Sequence, residues 1–127
     1  MTWPVRLVSV AFLTTGVLHF LATEAYAGIV PDYLPAHRAL VLLSGGAEIA
    51  GGLGVLDPRT RAAAGRGLVA LLVLVFPANL DMALHAQRHS IPAELLWARL
   101  PLQGVLIWVV ARATGLTTPQ FMRARTR

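Results

Sequence analysis

The chain contains no cysteine and no lysine, and only 13% of its 127 residues are charged, about half the share usual in a soluble domain. Without cysteine there are no disulfides, no thiol redox chemistry and no thiolate metal ligands. Any redox role must then run through a bound cofactor or a partner. Without lysine, the net charge of +5 comes from eleven arginines against six carboxylates. Those arginines sit at the ends of apolar segments, not on one polar face, which argues against nucleic-acid binding. Alternating apolar–polar strand patterns are also missing, which excludes a transmembrane barrel. Neither a Gly-rich phosphate loop nor a Gly-x-Ser-x-Gly elbow is present.

What fills the chain instead is apolar. Hydrophobic residues make up 56% of it and the mean hydropathy is +0.63. Four apolar stretches stand out, over 5–22, 39–56, 68–84 and 95–111. As helices each reaches about 25–29 Å, enough for a hydrocarbon core of about 30 Å. They predict a single all-α membrane domain over 1–127, a transmembrane four-helix bundle followed by a basic tail over 112–127. The first stretch reads as a span and not as a cleaved leader: it is long for a leader's apolar region, and no clear small-x-small site precedes Glu24.

Arginine placement predicts the orientation. Arg6, Arg59, Arg61, Arg66, Arg112, Arg123, Arg125 and Arg127 fall on one side of the spans, and Arg38 and Arg88 on the other. Positive residues accumulate in short cytoplasmic loops, so both termini are expected in the cytoplasm. On the outer side, Ile29-Val30-Pro31-Asp32-Tyr33-Leu34-Pro35 is too apolar and too proline-rich for a flexible linker. It reads either as a stiff interfacial connector or as a lid. In the second stretch, Gly46 with Ala50, or Ala47 with Gly51, forms a small-xxx-small pair that lets helix backbones approach closely. Pro77 lies inside the third stretch and leaves the Val73 carbonyl without its helical donor.

Each span also carries polar groups: His19, then Glu48, then Asn79 and Asp81, then Arg99 and Gln103. A charge at the bilayer centre costs about 2.5 kcal/mol or more. Counted from the external ends at about 1.5 Å per residue, all six lie in the outer half of the bilayer, although their helices alternate in direction. Arg99 and Gln103 share a face at i, i+4, as do Ser44 and Glu48, Thr15 and His19, and Asp81 and His85. Asn79 is about 200° from Asp81, so only one can point inward, and Asn79 is the better candidate. The simplest account pairs Arg99 with Glu48, with Gln103, Asn79 and His19 completing the hydrogen bonds. Such a network is either a functional site or a lock on helix packing. His85 and His89 are also spaced i, i+4, but at the external end they read as interfacial, and no metal site is assigned.

These residues resemble the DoxX family of small membrane proteins over about residues 15 to 111. The likeness rests on Gly16-Val17-Leu18-His19-Phe20, on Ile29-Val30-Pro31 with Leu34-Pro35, and on Ser44-Gly45-Gly46-Ala47-Glu48-Ile49. Pro58-Arg59-Thr60-Arg61, Phe76-Pro77-Ala78-Asn79 through Met82-Ala83, and Arg99-Leu100-Pro101-Leu102-Gln103 continue it. The resemblance implies a multi-pass four-helix bundle in a bacterial cytoplasmic (inner) membrane. The family is named for a subunit of a thiosulfate–quinone oxidoreductase, and other members are linked to membrane redox defence complexes. A more distant relative is an animal chaperone for nicotinic receptor assembly.

Three functions follow as expectations. The first is a membrane component of a quinone-linked redox system. A quinone or isoprenoid head group would sit in the outer-leaflet pocket on Arg99, Gln103, Asn79 and Ser44, with Glu48 and His19 carrying protons. The second is a non-catalytic assembly protein that docks a membrane partner or a second copy of itself. The third is a membrane-embedded isomerase or hydrolase acting on a lipid-like substrate through Glu48.

Overall fold

A computed structural model of the chain describes residues 2–117, which are helical with no strand among them. The helices are α1 (Trp3–Leu21), α2 (Thr23–Ala27), α3 (His37–Gly54), α4 (Arg61–Leu84) and α5 (Ala93–Ala113), with one 3₁₀ turn at Ala86–Arg88. Arg123, Arg125 and Arg127, the end of the expected basic tail, lie outside the described residues.

Three of these helices, α1, α4 and α5, are long and apolar enough to cross a membrane. α3 is not among them. At 18 residues it offers a single window of spanning length, and that window includes His37, Arg38, Ser44, Glu48 and five glycines. The apolar stretch expected at 39–56 is present as a helix, but its polar start and small residues dilute its hydropathy. α4 begins seven residues before the stretch expected at 68–84, because Arg61-Ala62-Ala63-Ala64 is a good helix-forming start.

α1 packs on α3, α3 on α4, α4 on α5 and α5 back on α1, while the backbones of the diagonal pairs α1/α4 and α3/α5 do not approach closely. Near the chain termini the interior is dry, built from Val5, Val8, Phe12, Val55, Leu68, Leu72 and Val110. A second small cluster of Met82, Ala83 and Leu96 closes the other end of the α4–α5 pair. The outward faces are strongly apolar: Leu7, Val10, Leu21, Leu43, Leu53, Leu74, Leu102 and Trp108 are all exposed. Exposed apolar area on this scale is what lipid, not water, accommodates.

The α1–α3 contact is the tightest. A Cβ built on Gly45 would lie 2.7 Å from the His19 Cβ and 3.0 Å from the Gly16 carbonyl oxygen. Only glycine fits there, and the approach also lets the Ser9 hydroxyl donate to the Gly52 carbonyl at 2.8 Å. The close-approach face is therefore Gly45 and Gly52, not the expected Gly46 and Ala50, which are exposed. Gly51 does pack closely, but on Leu68 of α4. Small-xxx-small spacing shows which residues permit close approach but not which of them faces a given neighbour.

Helix ends are satisfied by nearby side chains. The Thr23 hydroxyl donates to the carbonyls of His19 and Phe20 at the end of α1. At the end of α3, Arg61 donates to Val55 and Leu56 while Thr60 donates to Gly54. Cationic donors at a C-terminus also complement the helix dipole.

Candidate functional site

Between the dry core and the opposite end of the bundle lies a cavity of about 680 Å³, a size typical of small-ligand sites. One wall is Thr15 and His19 of α1 with Ser44, Ala47 and Glu48 of α3. The facing wall is Ala78 and Asn79 of α4 with Arg99 and Gln103 of α5. All six residues singled out from the sequence, His19, Ser44, Glu48, Asn79, Arg99 and Gln103, line this one space. Most of the remaining lining is aliphatic, including Leu43, Leu74 and Leu102, which are 71%, 74% and 64% exposed. Leucines that both line a cavity and face outward mark an opening toward the surrounding apolar medium.

The outer loop covers the cavity. Tyr26, Ile29, Val30, Pro31 and Leu34 all contribute to its lining, and Pro31 is buried. Of the two readings of this segment, the lid describes its position. The lid joins α3 through Ala36, whose φ of 53° and ψ of 51° place a non-glycine residue in the left-handed region. That conformation costs about 1–2 kcal/mol and persists only where the surroundings enforce it. Two exposed ion pairs, Arg38–Glu24 and Arg88–Asp32, flank the loop; exposed pairs of this kind add little stability.

The polar side chains do not form the single network expected. Glu48 pairs with His19, whose Nδ1 lies 3.1 Å from its Oε2, each side chain being 14% exposed. Among the described residues Arg99 has no carboxylate within ion-pair distance. Its Nη2 donates to the Asn79 Oδ1 at 3.3 Å and its Nη1 to the Met82 sulfur at 3.5 Å. Asn79 in turn donates to the Gln103 Oε1 at 2.7 Å, and the Gln103 amide donates to the Leu72 carbonyl. The expected Glu48–Arg99 pair fails for a topological reason. Lying in the same half of the bundle does not bring the two together: α3 and α5 are diagonal, whereas His19 sits on the adjacent α1.

The His19 ring has one more constraint. Its Nδ1 is 2.6 Å from the Thr15 carbonyl oxygen, which can only accept, so Nδ1 carries a hydrogen and Nε2 is the free nitrogen of the neutral ring. With that hydrogen aligned on Thr15, the buried Oε2 of Glu48 is left with no hydrogen bond despite its nearness to His19. The ring also stacks on Tyr26 of the lid, centroids 4.0 Å apart and planes 19° from parallel. No spacing rule in the sequence points to that stack.

Two further placements complete the site. Asn79 faces the cavity, as the helical-angle argument favours, while Asp81 turns to His85 at 3.2 Å near the end of α4. The Leu72 carbonyl that accepts from Gln103 is adjacent to the Val73 carbonyl left without its helical donor by Pro77. Pro101 has the same consequence for Trp97 in α5, and sequence inspection passed over it. His85 and His89 do not share a helical face, because α4 ends at Leu84. Among the described residues no group of three or more potential metal ligands comes together.

No curated protein and no solved structure matches the chain. Residues 8–114 match the family described as a domain of unknown function, DUF8561, and because that match spans well over half of the sequence, the chain belongs to this family.

Proposed function

We propose that the chain is a four-helix integral membrane protein of a bacterial cytoplasmic membrane, with both termini cytoplasmic. In this reading α1, α3, α4 and α5 all cross the bilayer. It serves a quinone-linked redox system by holding the head group of an isoprenoid quinone in its cavity. The arginine distribution and the resemblance to the DoxX family support the setting. The cavity supports the ligand class, being mostly aliphatic with polar groups gathered on two facing walls.

The observation that carries this reading is one largely aliphatic cavity with Ser44 and Glu48 on one wall and Asn79, Arg99 and Gln103 on the other. The Glu48 carboxylate accepts from a ligand hydroxyl through the part of it that faces the cavity, its Oε2 being sealed beside His19. Across the cavity Arg99 has N–H groups beyond the two directed at Asn79 and Met82, since a guanidinium carries five. A quinol hydroxyl on Glu48 and a quinone oxygen on Arg99 match that arrangement. Ser44 stands beside Glu48 on the same face of α3. Gln103 and Asn79 position Arg99, because their own amide groups are engaged with each other and with Leu72. His19 is the proton partner of Glu48, its Nδ1 lying 3.1 Å from the carboxylate. The isoprenoid tail leaves past Leu43, Leu74 and Leu102 into lipid.

Native mass spectrometry of the protein extracted gently from its own membranes tests this. The expected result is a stoichiometric quinone that disappears in Arg99→Ala while the fold persists. Protein carrying only bulk phospholipid, or a second polypeptide in place of a small ligand, would transfer the assignment to an assembly role.

A further inference from the structure

Charge within the cavity is unevenly balanced. His19 and Glu48, buried together at 3.1 Å, are least costly as a unit of zero net charge, wherever the proton sits. Of the other carboxylates near this end, Glu24 pairs with Arg38, Asp32 with Arg88 and Asp81 with His85, while Glu94 is exposed in the first turn of α5 and is not within ion-pair distance of Arg99. That leaves Arg99 as the one cavity-lining cation with no carboxylate within 4.0 Å among the described residues, its two contacts being an amide oxygen and a thioether sulfur. A guanidinium remains ionised in proteins, and neutral acceptors offset its desolvation only in part. Asn79, itself hydrogen-bonded to Gln103, accepts from the guanidinium at the cavity wall.

We infer that Arg99 is a counter-ion site, and that the cavity takes a single-chain amphiphile whose head bears one negative charge, a long-chain carboxylate. The carboxylate matches the guanidinium fork in two parallel hydrogen bonds. Its chain lies along Leu71, Val75 and Leu106 and emerges beside the exposed Leu43 and Leu74. This inference does not depend on the quinone reading, because it follows from the charge of the site alone.

Equilibrium binding of radiolabelled hexadecanoate and 1-hexadecanol to the purified full chain in nonionic detergent tests it, at about pH 8 where a carboxylate is ionised. Hexadecanoate is expected to bind about tenfold or more tightly than the alcohol, as charge-assisted hydrogen bonds imply. Arg99→Gln should reduce that preference to about twofold or less, and Arg99→Lys, which keeps the charge but not the fork, should retain only part of it. Equal binding of acid and alcohol by the unaltered protein, or a preference that survives Arg99→Gln, would overturn the inference. Should Arg99→Gln fail to fold, competition on the unaltered protein decides. Methyl hexadecanoate, which lacks the charge, should fail to displace the label, and equal displacement refutes the charge requirement. Adding a short-tailed quinone as competitor separates the two proposals. Carboxylate binding without quinone binding removes the quinone reading and leaves this one standing, and the converse removes this one.

Discussion

Gln103 is the most consequential side chain of the α4–α5 wall. Only 6% exposed, it accepts from Asn79 and donates to the Leu72 carbonyl beside the gap left by Pro77. Gln103→Leu keeps the volume but leaves the Asn79 amide without its acceptor and the Leu72 carbonyl without its second donor, and should lower stability by about 1–3 kcal/mol, read as thermal unfolding in detergent. It should also release Arg99 from its position, since Asn79 loses its anchor. Glu48 differs in this respect. Its Oε2 has no hydrogen bond to lose, so Glu48→Gln should leave the unfolding temperature nearly unchanged while abolishing binding of a quinone. A large loss of stability there would instead mark the His19–Glu48 pair as a packing lock. Exchanging the charges of Glu48 and Arg99 should rescue nothing, because the two do not meet.

At the scale of elements, α3 is the organiser, packed against α1, α2 and α4. Its glycines divide by direction. Gly45 faces α1 with no room for a Cβ, whereas a Cβ on Gly46 would meet nothing within 4 Å. Gly45→Val should push α1 away, break the Ser9–Gly52 hydrogen bond and separate His19 from Glu48, at a cost of about 1–3 kcal/mol. Gly46→Ala, one residue along, should leave stability unchanged or slightly raised by helix propensity. Equal effects of the two substitutions would contradict the α1–α3 packing described above. The lid element was half legible: its prolines and aromatics announced an ordered apolar loop. Its stacking of Tyr26 on His19 depends on where α2 turns, which no local pattern specifies.

For the whole molecule, the outward leucines and tryptophans form a strongly apolar surface, and the proposed orientation rests on the arginine bias. The lack of cysteine makes the orientation straightforward to measure, since any introduced thiol is the only one. Ser90→Cys, exposed in the turn between α4 and α5, should react with a membrane-impermeant maleimide added to intact cells. Ala63→Cys, exposed at the start of α4, should react only after the membrane is opened. Labelling of Ala63→Cys from outside would invert the proposed topology, and with it the leaflet from which the cavity is reached.

The sequence by itself determined the helical class and where the apolar helices lie, although α4 begins seven residues before its apolar pattern. These quantities depend on composition and periodicity, which a one-dimensional pattern carries. It also marked His19, Ser44, Glu48, Asn79, Arg99 and Gln103 as polar groups inside apolar stretches. Which of them touch was decided by the tertiary structure alone. Neighbour order around the helices, with α3 beside α1 and diagonal to α5, gave Glu48 to His19 and left Arg99 with neutral partners. Azimuth and adjacency come from side-chain packing between helices distant in the chain, and no spacing rule within one helix encodes them.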